Sequence, residues 1–316
     1  MRLRPLRYAL LPLFAALLLS ACHGKDDATQ PGGNTPESAL QGSVDLLKAG
    51  DFKGLWKHAL PPADYATLRA DWASKQKNPE PISAEDRAKF DQTLKKLTEP
   101  GAEDKLYAEL QPKLTEMQQK YKDQLPMLIG VGDALVKNGV AQNKELTEAQ
   151  KEQANSVMGV LTPWAQKTPW FDQDKAKQAV GVAVATARKL DLKKPEQLRS
   201  MDFDTAMDKY SIGYGGIKQF LTIYGLSVDD TLNSVKLSAV SSDKGHAVVK
   251  VDYTLLGKTL STESKMIEQD GRWYSEDMVK NVRKSHRKLA QMPVTPATSA
   301  TSATAPASAS TVGTKD

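Results

Sequence analysis

The chain has a single cysteine in 316 residues, Cys22, and only four histidines. A lone thiol forms no intrachain disulfide and cannot build a thiolate metal cage. His23, His58, His246 and His286 stand far apart, and none sits in H-E-x-x-H or a comparable ligand spacing, so a zinc hydrolase is not expected. No G-x-S-x-G elbow stands out, nor any S-x-x-K with its partner motifs. Asp202, Asp204 and Asp208 lie close together, as do Asp172 and Asp174, but neither set has the Gly and distal Glu of a calcium loop. Helix capping explains both sets better. No apolar run reaches the roughly 20 residues of a membrane span. No metal or cofactor is expected.

Charge of one sign is also scarce. Lys and Arg total 43 against 38 acids. Arg2, Arg4 and Arg7 fall in an N-terminal segment that reads as removable, which leaves a balance of about +2. So even a balance argues against a nucleic-acid partner. About 250 residues remain for a folded body, enough to bury a sizeable core.

What the N-terminus does have is specific. The three arginines precede an apolar run from Tyr8 to Leu19, the pattern of a secretion signal. Leu19-Ser20-Ala21-Cys22 follows and resembles the bacterial lipobox, an aliphatic residue and two small residues before a cysteine. The resemblance implies cleavage before Cys22, diacylglycerol on its thiol and, in Gram-negative bacteria, acylation of the new amine. Two or more acyl chains anchor stably, where one holds only marginally. His23 follows the cysteine, not the Asp associated with inner-membrane retention. The implied address is the outer membrane, facing the periplasm, with the inner membrane the lesser alternative. Residues 1–21 are then a signal peptide and 22–37 a flexible tether. Residues 293–316, rich in Ala, Thr, Ser and Pro, read as a disordered tail.

The region 38–230 reads as helical. Leu40, Val44 and Leu47 share one helical face, Gly50 suits a left-handed cap, and Asp51 caps a second helix that Pro61-Pro62 stops. Ser83 and Thr147 open helices with capping-box spacing. Leu106, Leu110, Leu114, Met117 and Tyr121 form one stripe, with Pro112 marking a kink or boundary. Thr162-Pro163-Trp164 and Thr168-Pro169-Trp170 each read as a helix start, Thr at the cap and Pro at the first helical position. Trp164 and Trp170 are either plugs at a helix corner or a stacking platform for a ring.

Residues 203–224 place Phe203, Met207, Tyr210, Tyr214, Ile217, Phe220, Leu221 and Tyr224 on one helical face, yet Gly213, Gly215 and Gly216 sit among them. Each glycine costs about 1 kcal/mol against Ala inside a helix. Either another helix packs close to bare backbone, or the helix kinks or breaks. A break would free N–H groups for an anion.

The period then changes to two. Ala247, Val249, Val251, Tyr253 and Leu255 alternate with polar residues, Leu256-Gly257 turns, and Asp270-Gly271 signals a hairpin. The spacing predicts a three- or four-stranded antiparallel meander over 233–276, within a region 231–292 that ends in a basic helix. On that helix Lys280, Arg283, Lys284, Arg287 and Lys288 are a candidate contact for anionic lipid or lipopolysaccharide phosphate; a solvated amphipathic helix is the plainer reading.

Pro36-Glu37 with its helix and Lys48-Ala-Gly-Asp-Phe52, together with Val248-Val-Lys-Val-Asp-Tyr253 and Gly271-Arg-Trp273-Tyr274, resemble the two ends of nuclear transport factor 2-like lipoprotein domains. That resemblance covers about 90 residues in two pieces and implies a curved sheet wrapping helices around a conical pocket, with about 170 mostly helical residues inserted. The expected fold class is α+β: a helix-rich body with a small C-terminal antiparallel sheet. The expected function is a non-enzymatic binding or scaffold module of the cell envelope, held to the membrane by its lipid and contacting an unidentified envelope protein or component. One alternative is a carrier of an apolar or aromatic ligand lined by Trp164, Trp170, Tyr210 and Tyr214. Another is an envelope hydrolase with a carboxylate pair, which 38 acids leave open.

Overall fold

The computed structural model describes residues 30–77 and 81–291. The signal-like segment, Cys22, His23, Met292 and the Ala/Thr/Ser/Pro tail lie outside the described residues. The fold is α+β, with many helices and a four-stranded antiparallel sheet near the C-terminal end.

Two helices open the body, α1 (Pro36–Ala49) and α2 (Phe52–Ala59). A reciprocal capping box starts α1. Ser38 N–H donates to Thr35 Oγ1 at 3.1 Å and Thr35 N–H to Ser38 Oγ at 2.9 Å. Gly50 ends the helix at φ 72°, a conformation that favours glycine, and Asp51 accepts from Gly54 N–H at 2.7 Å to cap α2. Pro62 then occupies the first turn of α3 (Pro62–Gln76), where its missing N–H is harmless. The proline pair that stops one helix therefore also starts the next.

The outer helices follow: α4 (Ala84–Thr98), α5 (Ala102–Tyr121), α6 (Leu125–Gln142), α7 (Glu148–Lys167), α8 (Gln173–Leu190), the single turn α9 (Gln197–Ser200), α10 (Phe203–Ile223) and α11 (Val228–Asn233). Three sequence expectations need correction here. Pro112 is not a boundary, because α5 runs through it. Pro163 lies inside α7 and starts no helix. Thr168 closes α7, its Oγ1 donating to the Trp164 carbonyl at 2.7 Å, and Asp172 caps α8 in its place. The Thr147 capping box starts α7 well before the proline, and Thr162 and Trp164 are held by neighbours on either side of it.

The sheet has the order β1–β2–β3–β4, from β1 (Lys236–Asp243), β2 (His246–Leu255), β3 (Lys258–Gln269) and β4 (Arg272–Ser275). Each connection is a two-residue turn whose second residue is glycine: Lys244-Gly245, Leu256-Gly257 and Asp270-Gly271, with φ positive at both positions. Such turns match the right-handed twist of the strands they join. Ala247, Val249, Val251, Tyr253 and Leu255 are all buried on one face of β2. Ala39 and Leu40 of α1 cover one end of that face, and Val160 of α7 covers the other. Tyr253 is 1 % exposed, its hydroxyl bonded to the amide of Gln153 on α7. Burial pushes the Tyr253 pKa up to about 12.

A second core joins α1 and α2 to α10, through Val44, Leu47, Phe52, Leu55, Phe203, Ala206 and Met207. Each large side chain buried this way contributes about 1.5–3 kcal/mol. The last helix, α12 (Glu276–Ala290), packs Val279 and Val282 against Leu60 and Tyr274. Its buried positions are these two, with Met278 and Leu289 half-buried.

Residues 30–37 are not the free end of a tether, as the composition suggests. Gly33 pairs with Trp273 across the outer edge of β4, N–H to carbonyl at 3.1 Å and 2.8 Å. Arg272 reaches over the same segment and donates to the carbonyls of Pro31 (3.0 Å) and Gly32 (2.7 Å) and to Asn34 Oδ1 (2.5 Å). A segment with almost no apolar side chains is thus held by its backbone groups, which composition does not reveal.

Candidate functional site

The four aromatics considered as a ligand platform do not come together in one place: the two tryptophans meet, and the two tyrosines stand apart from them. Trp164, on the last turn of α7, meets Trp170 edge-on with centroids 5.5 Å apart. Trp170 lies 4.9 Å from Tyr224, which in turn lies 5.2 Å from Phe220. Both indole N–H groups are spent on backbone: Trp164 donates to the Tyr224 carbonyl at 3.0 Å and Trp170 to that of Ala165 at 2.7 Å. Both rings are half-buried at the corner where α7, α8 and α10 meet. Tyr214 instead packs edge-on against Phe52, 5.3 Å away, and Lys218 sits over its ring. Its buried hydroxyl has no hydrogen-bond partner among the described residues, and burial pushes its pKa up to about 12. Tyr210 stands exposed. The apolar stripe of α10 is wider than its neighbours cover, so Tyr210, Ile217 and Phe220 remain outside while Phe203 and Met207 go in.

The glycines of α10 do not break it. The helix is continuous from Phe203 to Ile223, so no N–H groups are freed for an anion. Gly216 lies hard against Thr186 of α8, where a Cβ would collide with the threonine side chain. Nothing lies within 4 Å of a Cβ at Gly213 or Gly215, so close packing accounts for one of the three.

Two depressions stand out. One, of about 30 Å³, lies between α1, α2, β4 and α12, bordered by Leu40, Ser43, His58, Trp273 and Met278. That is room for one or two waters, not for a ring. The other, of about 570 Å³, is open and lies between Ala141 of α6 and Glu148, Lys151, Glu152, Asn155 and Ser156 at the start of α7.

His58 borders the small cavity and is 1 % exposed. Its Nδ1 lies 2.8 Å from the Gln30 carbonyl oxygen and its Nε2 2.8 Å from that of Ala39. A neutral imidazole has one N–H and satisfies one of these acceptors; only the doubly protonated ring donates to both. The ring sits between the entry segment and α1, with one carbonyl oxygen from each against its two nitrogens. Gly32 N–H returns a bond to the His58 carbonyl at 2.8 Å.

The basic residues of α12 are largely engaged. Arg283 grips buried Asp64 with two bonds, 2.9 Å and 2.7 Å, and also donates to Gln269. Lys280 pairs with Glu276 at 2.7 Å. Lys284 and Lys288 share Glu145, each at 3.1 Å, and hold its carboxyl below the usual range. Arg287 has no ion-pair partner among the described residues. Arg283 is therefore a structural clasp between α12 and α3, while Lys284, Arg287 and Lys288 keep positive charge at the surface.

No protein family, no curated protein and no solved structure matches this chain. The geometry therefore stands alone. Among the described residues, no three His, Cys, Asp or Glu side chains gather to hold a metal ion, and no helix is long and apolar enough to cross a membrane.

The sequence reading passed over α6. Its outward side chains Met127, Leu128, Val131, Leu135 and Val136 are all exposed, Leu135 at 68 %. The signal was available: Leu125–Gln142 holds only two charges, Asp133 and Lys137, among Met, Leu, Ile, Val and Ala. Gly130, Gly132 and Gly139 obscured it, because glycine lowers helix propensity.

Proposed function

We propose that this chain is a lipid-anchored envelope lipoprotein, tethered through Cys22 to the outer membrane on its periplasmic side, that acts as a non-enzymatic binding or scaffold module. The observation that carries the binding reading is where apolar surface lies. Met127, Leu128, Val131, Leu135 and Val136 on α6 and Tyr210, Ile217 and Phe220 on α10 face outward, whereas the apolar-walled cavity beside His58 has about 30 Å³. Surface patches of this kind serve association; a carrier of an apolar ligand needs some 300 Å³ or more inside. The anchor reading rests on Leu19-Ser20-Ala21-Cys22 and the basic, apolar leader before it. The resemblance of both ends to nuclear transport factor 2-like lipoproteins agrees with the same setting and remains part of the proposal.

Native mass spectrometry of the protein, gently extracted from membranes, tests the reading. A mass carrying only the acyl groups, together with a recurring protein partner, is the expected result. A reproducible small apolar adduct that is lost on denaturation would overturn it in favour of a carrier.

A further inference from the structure

We infer that the outward face of α6 lies in the headgroup–acyl boundary of an anionic bilayer, with the basic face of α12 beside it on the lipid phosphates. The inference deepens the anchored reading above and rests on it.

A helix at a water-facing surface carries its charges outward. In α6 the arrangement is inverted. Asp133 and Lys137 pair with each other at 2.8 Å, and Asp133 also accepts from Thr162 Oγ1 of α7 at 2.8 Å. Asp133 is thereby used on the side that packs on α7, and Lys137, with its side chain 40 % exposed, is paired to it. Outward, the helix presents Met127, Leu128, Val131, Leu135 and Val136, and its one cation, Lys137, is ion-paired. At 1.5 Å per residue the face from Met127 to Val136 is about 14 Å long, on a helix of about 27 Å. It suits a helix lying in the membrane plane, since apolar area held at the boundary stabilises such contacts.

Charge decides which apolar partner fits. Glu145 lies three residues beyond the end of α6, and Lys284 and Lys288 of α12 both bind it. Two ammonium groups on one carboxylate leave a net positive corner, and Arg287 adds to it on the same helix. An apolar helix face with a basic corner beyond the helix's C-terminal end matches acyl chains bordered by phosphates. Basic residues near such a surface contribute about 1 kcal/mol each.

Reach agrees. Eight residue steps separate Cys22 from Gln30, where the body begins. Fully extended they span at most about 29 Å. An acylated Cys22 therefore keeps the clamped segment, and the body with it, close to the headgroups.

The test places a photoreactive diazirine amino acid at position 135, or at position 242 near the β1–β2 turn as a control. The full chain is reconstituted in vesicles of phosphatidylethanolamine and phosphatidylglycerol. After illumination, a phospholipid adduct at 135 in several-fold excess over 242 is expected. The excess should fall when phosphatidylglycerol is replaced by phosphatidylcholine; an unchanged excess would overturn the part assigned to α12. Equal adducts at 135 and 242, or a cross-linked pair of chains in place of lipid at 135, would overturn the inference. The mass of the peptide bearing Cys22 reports acylation separately. An acylated chain without the 135 adduct would sink this inference alone, and an unacylated one would sink the anchor.

Discussion

The Nε2 atom of His58 lies 2.8 Å from the carbonyl oxygen of Ala39, in a space that exists because residue 42 is glycine. A Cβ at position 42 would come within 2.5 Å of Nε2 and 2.6 Å of Cε1. The ring is buried, with a carbonyl oxygen 2.8 Å from each nitrogen, so it has little room in which to yield.

Gly42→Ala is therefore expected to destabilise the protein, although alanine is the better helix former by about 1 kcal/mol. Overpacking typically costs about 1–3 kcal/mol. Urea unfolding should show a lower midpoint for Gly42→Ala. A midpoint equal to or above the parent would show that the ring moves aside.

Arg272→Ala removes three bonds to the entry segment, at Pro31, Gly32 and Asn34. Bonds from a charged donor are individually worth about 1.5–3 kcal/mol. Hydrogen exchange of the Gly32 and Gly33 amides should speed up by about tenfold or more, while amides of β2 stay protected. Unchanged exchange at both glycines would mean that Trp273 and His58 hold the segment by themselves.

Arg69 and Asp204 join α3 to α10 through two bonds, 2.6 Å and 2.9 Å. The guanidinium holds the Asp204 carboxyl below its usual value. A depressed folded-state pKa means that the unfolded chain takes up the proton first as pH falls. The contribution of the pair is thus present above the unfolded value of about 3.9 and is lost as pH drops through the folded one. Both side chains are more than a third exposed, so screening keeps the effect small. Asp204→Asn should lower stability at pH 6 and narrow the difference between pH 6 and pH 3. Parallel pH profiles for parent and variant would refute the assignment.

Features that depend only on neighbours in the chain were legible in the sequence. The Thr147 box is of this kind, as are the left-handed Gly50, the Asp51 cap, the Asp270-Gly271 turn and the alternation of β2. Each arises from a hydrogen bond or steric preference spanning a few residues, which is why the α+β class could be read from the residues. Helix α6 was missed because its glycines masked a local pattern.

Tertiary structure decided what those elements do. Periodicity gave α10 one broad apolar face, but only the neighbouring helices determine that Met207 is covered and Ile217 is not. Composition made residues 30–37 look free, and it took Arg272, some 240 positions away, to clamp them. The lysines and arginines of α12 formed one basic run in sequence; Asp64 and Glu145 divide them into a clasp and a surface patch. Which groups meet across a hundred or more residues depends on packing geometry, and that information is spread over the whole chain, not written in any one segment of it.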